Sequence, residues 1–157
     1  MKTLLEQHAI RLDALGLDCE NLVRVTATLL SANGTSYEAH RGSLWVKGIG
    51  HVEPHHWIVL SSGETVDFRA RLWLGNEAHI PHGIFTPTHA QIYTSNSTFS
   101  AVVHEVVFFA LTGVRIGDFG VGEKSPSESS MISAENSATT SRQTEITIRR
   151  SAGALPT

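Results

Sequence analysis

A single cysteine, Cys19, occurs in the 157-residue chain. One thiol permits no intramolecular disulfide and no multi-cysteine zinc site. Long apolar runs are also missing. None approaches the ~18 residues of a membrane-spanning helix. Charge is sparse, with 17% charged residues and a formal net charge of -3. No basic excess marks nucleic acid as the default partner. The opening MKTLLEQHAIRLDALGLD lacks the apolar stretch of a secretory signal, and a cytoplasmic location is expected. No internal repeat is visible. What is present is a 41% hydrophobic composition, enough for a packed core, and nine histidines, unusually many for this length.

Aromatic residues are absent from residues 122–157, where 13 of 36 residues are Ser or Thr and four basic residues balance four acidic ones. Such a segment buries too little apolar surface to offset the entropy of ordering it. The expected organisation is therefore a domain over residues 1–120 and a disordered tail over 121–157. A weak alternating piece, Glu145-Ile146-Thr147-Ile148, is the one strand candidate in the tail.

Thr3 and Glu6 are spaced as a capping box, and Leu4, Leu5, His8, Leu12 and Leu15 follow at helical spacing, with Gly16 as the stop. Asp18 is a good N-cap for a second helix over Cys19–Ala32, ended by Asn33-Gly34. Strand patterns follow at 36–40, 43–46, 55–60 and 65–70. Ser61-Ser62-Gly63 suits a three-residue hairpin loop with its glycine in third position. Residues 74–97 read as mostly loop, and Phe99–Leu111 as a last helix closed by Gly113. Helices, then strands, then a helix indicate an α+β domain with N-terminal helices packed on an antiparallel sheet.

Cys19 lies in the first turn of its helix, where unpaired N–H groups and the helix dipole favour a thiolate. Asp18 and Glu20 oppose this with nearby negative charge. The three-residue loop sets Leu60 opposite Glu64 and Trp57 opposite Asp67. His55 then lies diagonal to Asp67 on one face, within hydrogen-bonding reach. A carboxylate there selects one imidazole tautomer and leaves the other nitrogen as a base. A two-residue Ser62-Gly63 turn would shift the register by one and present His56 instead. The base is thus His55 or His56, according to hairpin register.

This order resembles the transglutaminase-like branch of the papain-like cysteine enzymes. Cys19 opens a helix that leads through a small turn to a strand. His55-His56-Trp57 is similar to that branch's His-x-Trp, Gly63 to its hairpin glycine, and Val66-Asp67-Phe68 to its aspartate strand. Phe68-Arg69 follows the aspartate where members often have Pro-Thr or Pro-Ser. The resemblance covers residues 16–70. It implies a papain-like core with Cys19 as nucleophile, His55 as general base, His56 as the alternative base and Asp67 as the orienting acid. The implied activity is hydrolysis or acyl transfer on a peptide, protein or small amide or ester substrate. It proceeds through a thioester and needs no cofactor.

Two other classes compete. One is a non-catalytic binding module with Cys19 as an inert core thiol. The other is a metal site built from His79, His82 and one of His51, His55 or His56. Arg69 and Arg71 are candidates for a substrate carboxylate or for surface ion pairs. Trp57 and Trp73 suit core packing or a cleft wall, and His104 a half-buried helix position. A substrate-selecting surface is expected from residues 36–50 and 71–97.

Overall fold

The computed structural model describes residues 3–121. The expected tail, including Glu145–Ile148, lies outside the described residues apart from Val121. The described chain is an α+β domain. Helix α1 (Leu4–Asp13) starts at the predicted capping box. The Thr3 N–H donates to Glu6 Oε2 at 2.6 Å, and the Glu6 N–H to Thr3 Oγ1 at 3.3 Å. It stops before Leu15 and Gly16, whose backbone enters a tight connection. Helix α2 (Cys19–Ala32) has the predicted boundaries. Asp18 Oδ1 accepts the Asn21 N–H at 2.8 Å, satisfying one of the orphan donors of the first turn.

Five strands follow among the described residues: β1 (Tyr37–Val46), β2 (Gly50–Leu60), β3 (Thr65–Asp67), β4 (Gly83–Phe85) and β5 (Gln91–Thr98). They form one antiparallel sheet in the order β4-β3-β2-β1-β5. Helix α3 (Ala70–Leu74) lies between β3 and β4. Helix α4 (Glu105–Thr112) and a 3-10 turn (Ile116–Phe119) follow β5. Helix α2 covers one sheet face, its Leu22, Val25, Leu29 and Leu30 packing in a core with Ala39, Ile58 and Val66. Burying one such side chain fully is worth about 1.5–3 kcal/mol. A second, smaller cluster joins Leu44, Val46, Ala70 and Ile80. No helix of the described residues is long and apolar enough to cross a membrane.

Several expected elements differ. The patterns at 36–40 and 43–46 belong to one strand, whose register shifts around Gly42. A Cβ at Gly42 would stand 1.9 Å from the Thr94 carbonyl oxygen, so only glycine lets β5 approach there. The strand at 65–70 ends at Asp67, because Asp67 Oδ1 accepts the N–H groups of Arg69 and Ala70 at 2.8 and 3.0 Å and turns the chain into α3. Residues 74–97, read as mostly loop, contain β4 and most of β5. Their signal is weak because β5 is a polar edge strand, exposed at most positions. The last helix starts six residues late. His104 is its N-cap, exposed rather than half-buried, with Nδ1 accepting the Val106 N–H at 3.2 Å.

The sheet curls strongly. Phe85 on β4 and Tyr93 on β5 belong to its opposite edges, yet their ring centroids are 6.4 Å apart. The curl gathers His55, Trp57, Asp67 and Tyr93 into one side-chain group.

Candidate active site

The β2–β3 hairpin has the three-residue loop. Leu60 N–H donates to the Glu64 carbonyl at 2.9 Å, and Gly63, at φ 87°, closes the turn. The ladder pairs Val59 with Thr65 and Ile58 with Val66. Continued by one residue, it sets Trp57 opposite Asp67, and His55 falls beside that carboxylate. His55 Nε2 and Asp67 Oδ2 are 2.6 Å apart. The carboxylate has no proton to give, so the ring nitrogen donates. Both side chains are withdrawn from solvent.

Asp67 is saturated with donors. Oδ2 also accepts the Tyr93 hydroxyl at 2.8 Å, and Oδ1 takes the two backbone N–H groups that end β3. Burial acts to raise its pKa. The bonds and charge of His55, with the Arg69 N–H and Tyr93, outweigh burial and hold the carboxyl below its ordinary value. For His55, burial acts to lower the pKa. The bond to Asp67, aided by the nearby Cys19 thiol and the Asp67 charge, overcomes it and raises the pKa to about 9. Burial and the Asp67 carboxylate push the Tyr93 phenol upward, so the hydroxyl keeps its proton and remains a donor.

Cys19 is half-buried at the start of α2. Its Sγ lies 3.5 Å from Nδ1 of His56, in hydrogen-bonding geometry. Strand alternation explains this. It turns His56 toward α2, with Ile58, and His55 toward the side of Trp57 and Asp67. Cys19 thus stands beside both rings, with its 3.5 Å contact to His56 and a further influence on His55, which holds the aspartate. The thiol is near enough to His55 to strengthen its hold on a proton, but the directed bond is to His56. The Nδ1 atom of His55 is buried and has no hydrogen-bond partner. His56 has the opposite electrostatics. Burial lowers its pKa, with Arg41 and His55 contributing, against the partial opposition of Glu20 and Asp18. Glu20 Oε2 stands 3.9 Å from His56 Nε2.

Cys19 and His56 are open to solvent on one side only. On the inner side, Cys19, His56, Asp67 and Arg69 border a void of about 10 Å³, room for one water at most. Outward, Cys19 and His56 line an open cleft of about 580 Å³ with Asp18, Glu20, Glu53, Pro54 and Trp73. Trp73 is 63% exposed, whereas Trp57 is buried. Of the cleft residues, only Trp73 comes from the segments expected to select substrate.

Arg69 is buried, and its guanidinium is occupied. It donates to the carbonyls of Asp13, Leu15, Leu17 and Phe68 and to the Asp13 carboxylate. It fastens the α1–α2 connection rather than facing the cleft. Arg71 donates to the Ile80 carbonyl at 3.2 Å. His82 pairs with Asp13 at 3.1 Å and His79 with Glu77 at 3.8 Å. Among the described residues, no group of three or more His, Cys, Asp or Glu side chains is placed to hold a metal.

Tyr93 was not expected from the sequence. It lies in a polar Gln-Ile-Tyr-Thr-Ser-Asn stretch, and its bond to Asp67 spans 26 residues. A lone aromatic ring within that polar stretch was the one available signal. No protein-family model, curated protein or solved structure matches the chain.

Proposed function

We propose that the domain is a cysteine-dependent hydrolase or acyltransferase with a papain-like core of the transglutaminase-like branch. The observation that carries this reading is the buried His55–Asp67 pair beside a helix-N-terminal cysteine that opens on a cleft. Cys19 is the nucleophile. In the reaction its thiol turns from His56 to Nδ1 of His55, and thiol and ring share one proton that rests on the ring, as the raised His55 pKa favours, so that a thiolate faces an imidazolium. The thiolate attacks an amide or ester carbonyl, aided by the Cys19 backbone N–H at the helix start. His55 returns the proton to the leaving amine or alcohol. Water or an amine then resolves the thioester. Asp67 holds the ring and balances its positive charge.

A second reading makes His56 the base, with Glu20 beside it. The 3.5 Å contact from Cys19 favours it. A small activated ester tests the common core of both readings. With p-nitrophenyl acetate, the full chain should release a burst of one nitrophenolate per protein and carry one acetyl group on Cys19 by mass spectrometry. Both should vanish in Cys19→Ala. Ester cleavage at equal rate in Cys19→Ala, with no adduct on wild type, would indicate the non-catalytic binding module instead.

A further inference from the structure

The hydroxyl of Tyr93 reaches the same carboxylate oxygen that accepts from His55, at 2.8 against 2.6 Å. It comes from the far edge of the sheet. Tyr93 is on β5, opposite Leu44 of β1, while Asp67 ends β3. The ring is fixed between neighbours, with centroids 5.0 Å from Trp57, 6.3 Å from His55 and 6.4 Å from Phe85. Packing alone explains an aromatic ring there. It does not explain a phenol aimed at an oxygen that already has a donor. Phenylalanine would fill the same space without burying a hydroxyl.

We propose that Tyr93 is a positioning residue for the Cys19 site, sharing Asp67 Oδ2 with His55 and thereby setting how firmly the carboxylate holds that ring. The inference rests on the acyl-transfer reading for its functional meaning, but its physical content does not need catalysis. Two donors on one oxygen divide its negative charge. Without the hydroxyl, Oδ2 serves His55 alone, the pair tightens, and His55 keeps its proton to higher pH. A base that holds its proton too firmly returns it poorly to a leaving group.

Few other groups face His55. Helix α2 contributes Cys19, and β2 itself the adjacent His56. Strand β1 presents Gly42 opposite and His40, which stacks on Trp57 at 5.6 Å. Strand β3 contributes Asp67 and β5 Tyr93. The Arg69 guanidinium is engaged by carbonyls and Asp13, and Arg41, Asp18 and Glu20 act on His56.

The test is the titration of His55 by NMR in the full chain, with labelled histidine, in wild type and Tyr93→Phe. The His55 midpoint should rise by about half a pH unit, the size expected from one lost hydrogen bond. In an Asp67→Asn background the same Tyr93→Phe change should have no effect, since Tyr93 acts through Asp67. A second variant covers loss of the fold: 3-fluorotyrosine at position 93, a stronger donor of nearly the same shape, should lower the midpoint. An unchanged or lowered midpoint in folded Tyr93→Phe overturns the proposal. So does an equal shift in the Asp67→Asn background, or no downward shift with fluorotyrosine. Failure of the ester burst with these shifts intact would remove the acyl-transfer reading and leave the role of Tyr93 standing.

Discussion

His55 and Asp67 form a fully buried pair, Nε2 to Oδ2 2.6 Å, joined across a hairpin whose three-residue loop sets the register. Breaking such a pair on one side leaves a charge without its partner, which is the costly way to disturb it. Much of the domain's pH response follows from it.

Stability should fall on the alkaline side. His55 has a pKa of about 9 in the folded chain against 6.5 ordinarily. Its contribution is complete below 6.5 and is lost as pH rises through about 9, a loss of about 3 kcal/mol. Asp67 is shifted down, so its contribution is present above its ordinary 3.8 and is lost as pH falls through its lowered folded value. His56, shifted down, weakens the fold below 6.5 and does not act in the alkaline window. Urea unfolding between about pH 7 and about pH 9.5 should show the decline in wild type and a flatter profile in Asp67→Asn. Equal slopes would contradict the pairing.

Arg69→Met should destabilise the domain by about 3 kcal/mol, because it removes a buried cation and its bonds to four carbonyls and the Asp13 carboxylate, of which the carboxylate keeps His82 and the Leu15 carbonyl the Leu17 N–H. Hydrogen exchange should rise in residues 14–18, which lead into Cys19. Unchanged exchange there would show that the connection is held by other means.

Gly42→Ala should cost more than about 3 kcal/mol, since its Cβ would meet the Thr94 carbonyl oxygen at 1.9 Å and push β5 from β1. Tyr93 adjoins Thr94, so the near-ultraviolet circular dichroism of the Trp57–Tyr93 pair should change as well. Wild-type stability and spectrum would contradict the close approach.

What the sequence revealed and what it hid divide by range and polarity. Asp18 and Cys19–Ala32 carry a local cap and an apolar period, and both ends of α2 follow from them. The hairpin from Leu60 to Glu64 is equally local, and its glycine sets the register that brings His55 beside Asp67. Strand β5 is polar, exposed and paired with residues about 50 positions away, so no local pattern announces it. Tyr93 is hidden for the same reason. Strand alternation separates His55 from His56, but which ring the Cys19 thiol meets depends on where α2 rests on the sheet, a packing outcome that spacing does not contain.

The central claim is that Cys19 and the His55–Asp67 pair work as one unit. Its most direct test is the rate of Cys19 alkylation by iodoacetamide as a function of pH, in wild type, His55→Ala and His56→Ala. The account predicts a profile displaced in His55→Ala, with the rate near neutral pH reduced about tenfold or more, and a smaller change in His56→Ala. A profile displaced only in His56→Ala would contradict it and assign the base to His56, and three superimposable profiles would contradict any linkage between this thiol and the histidines.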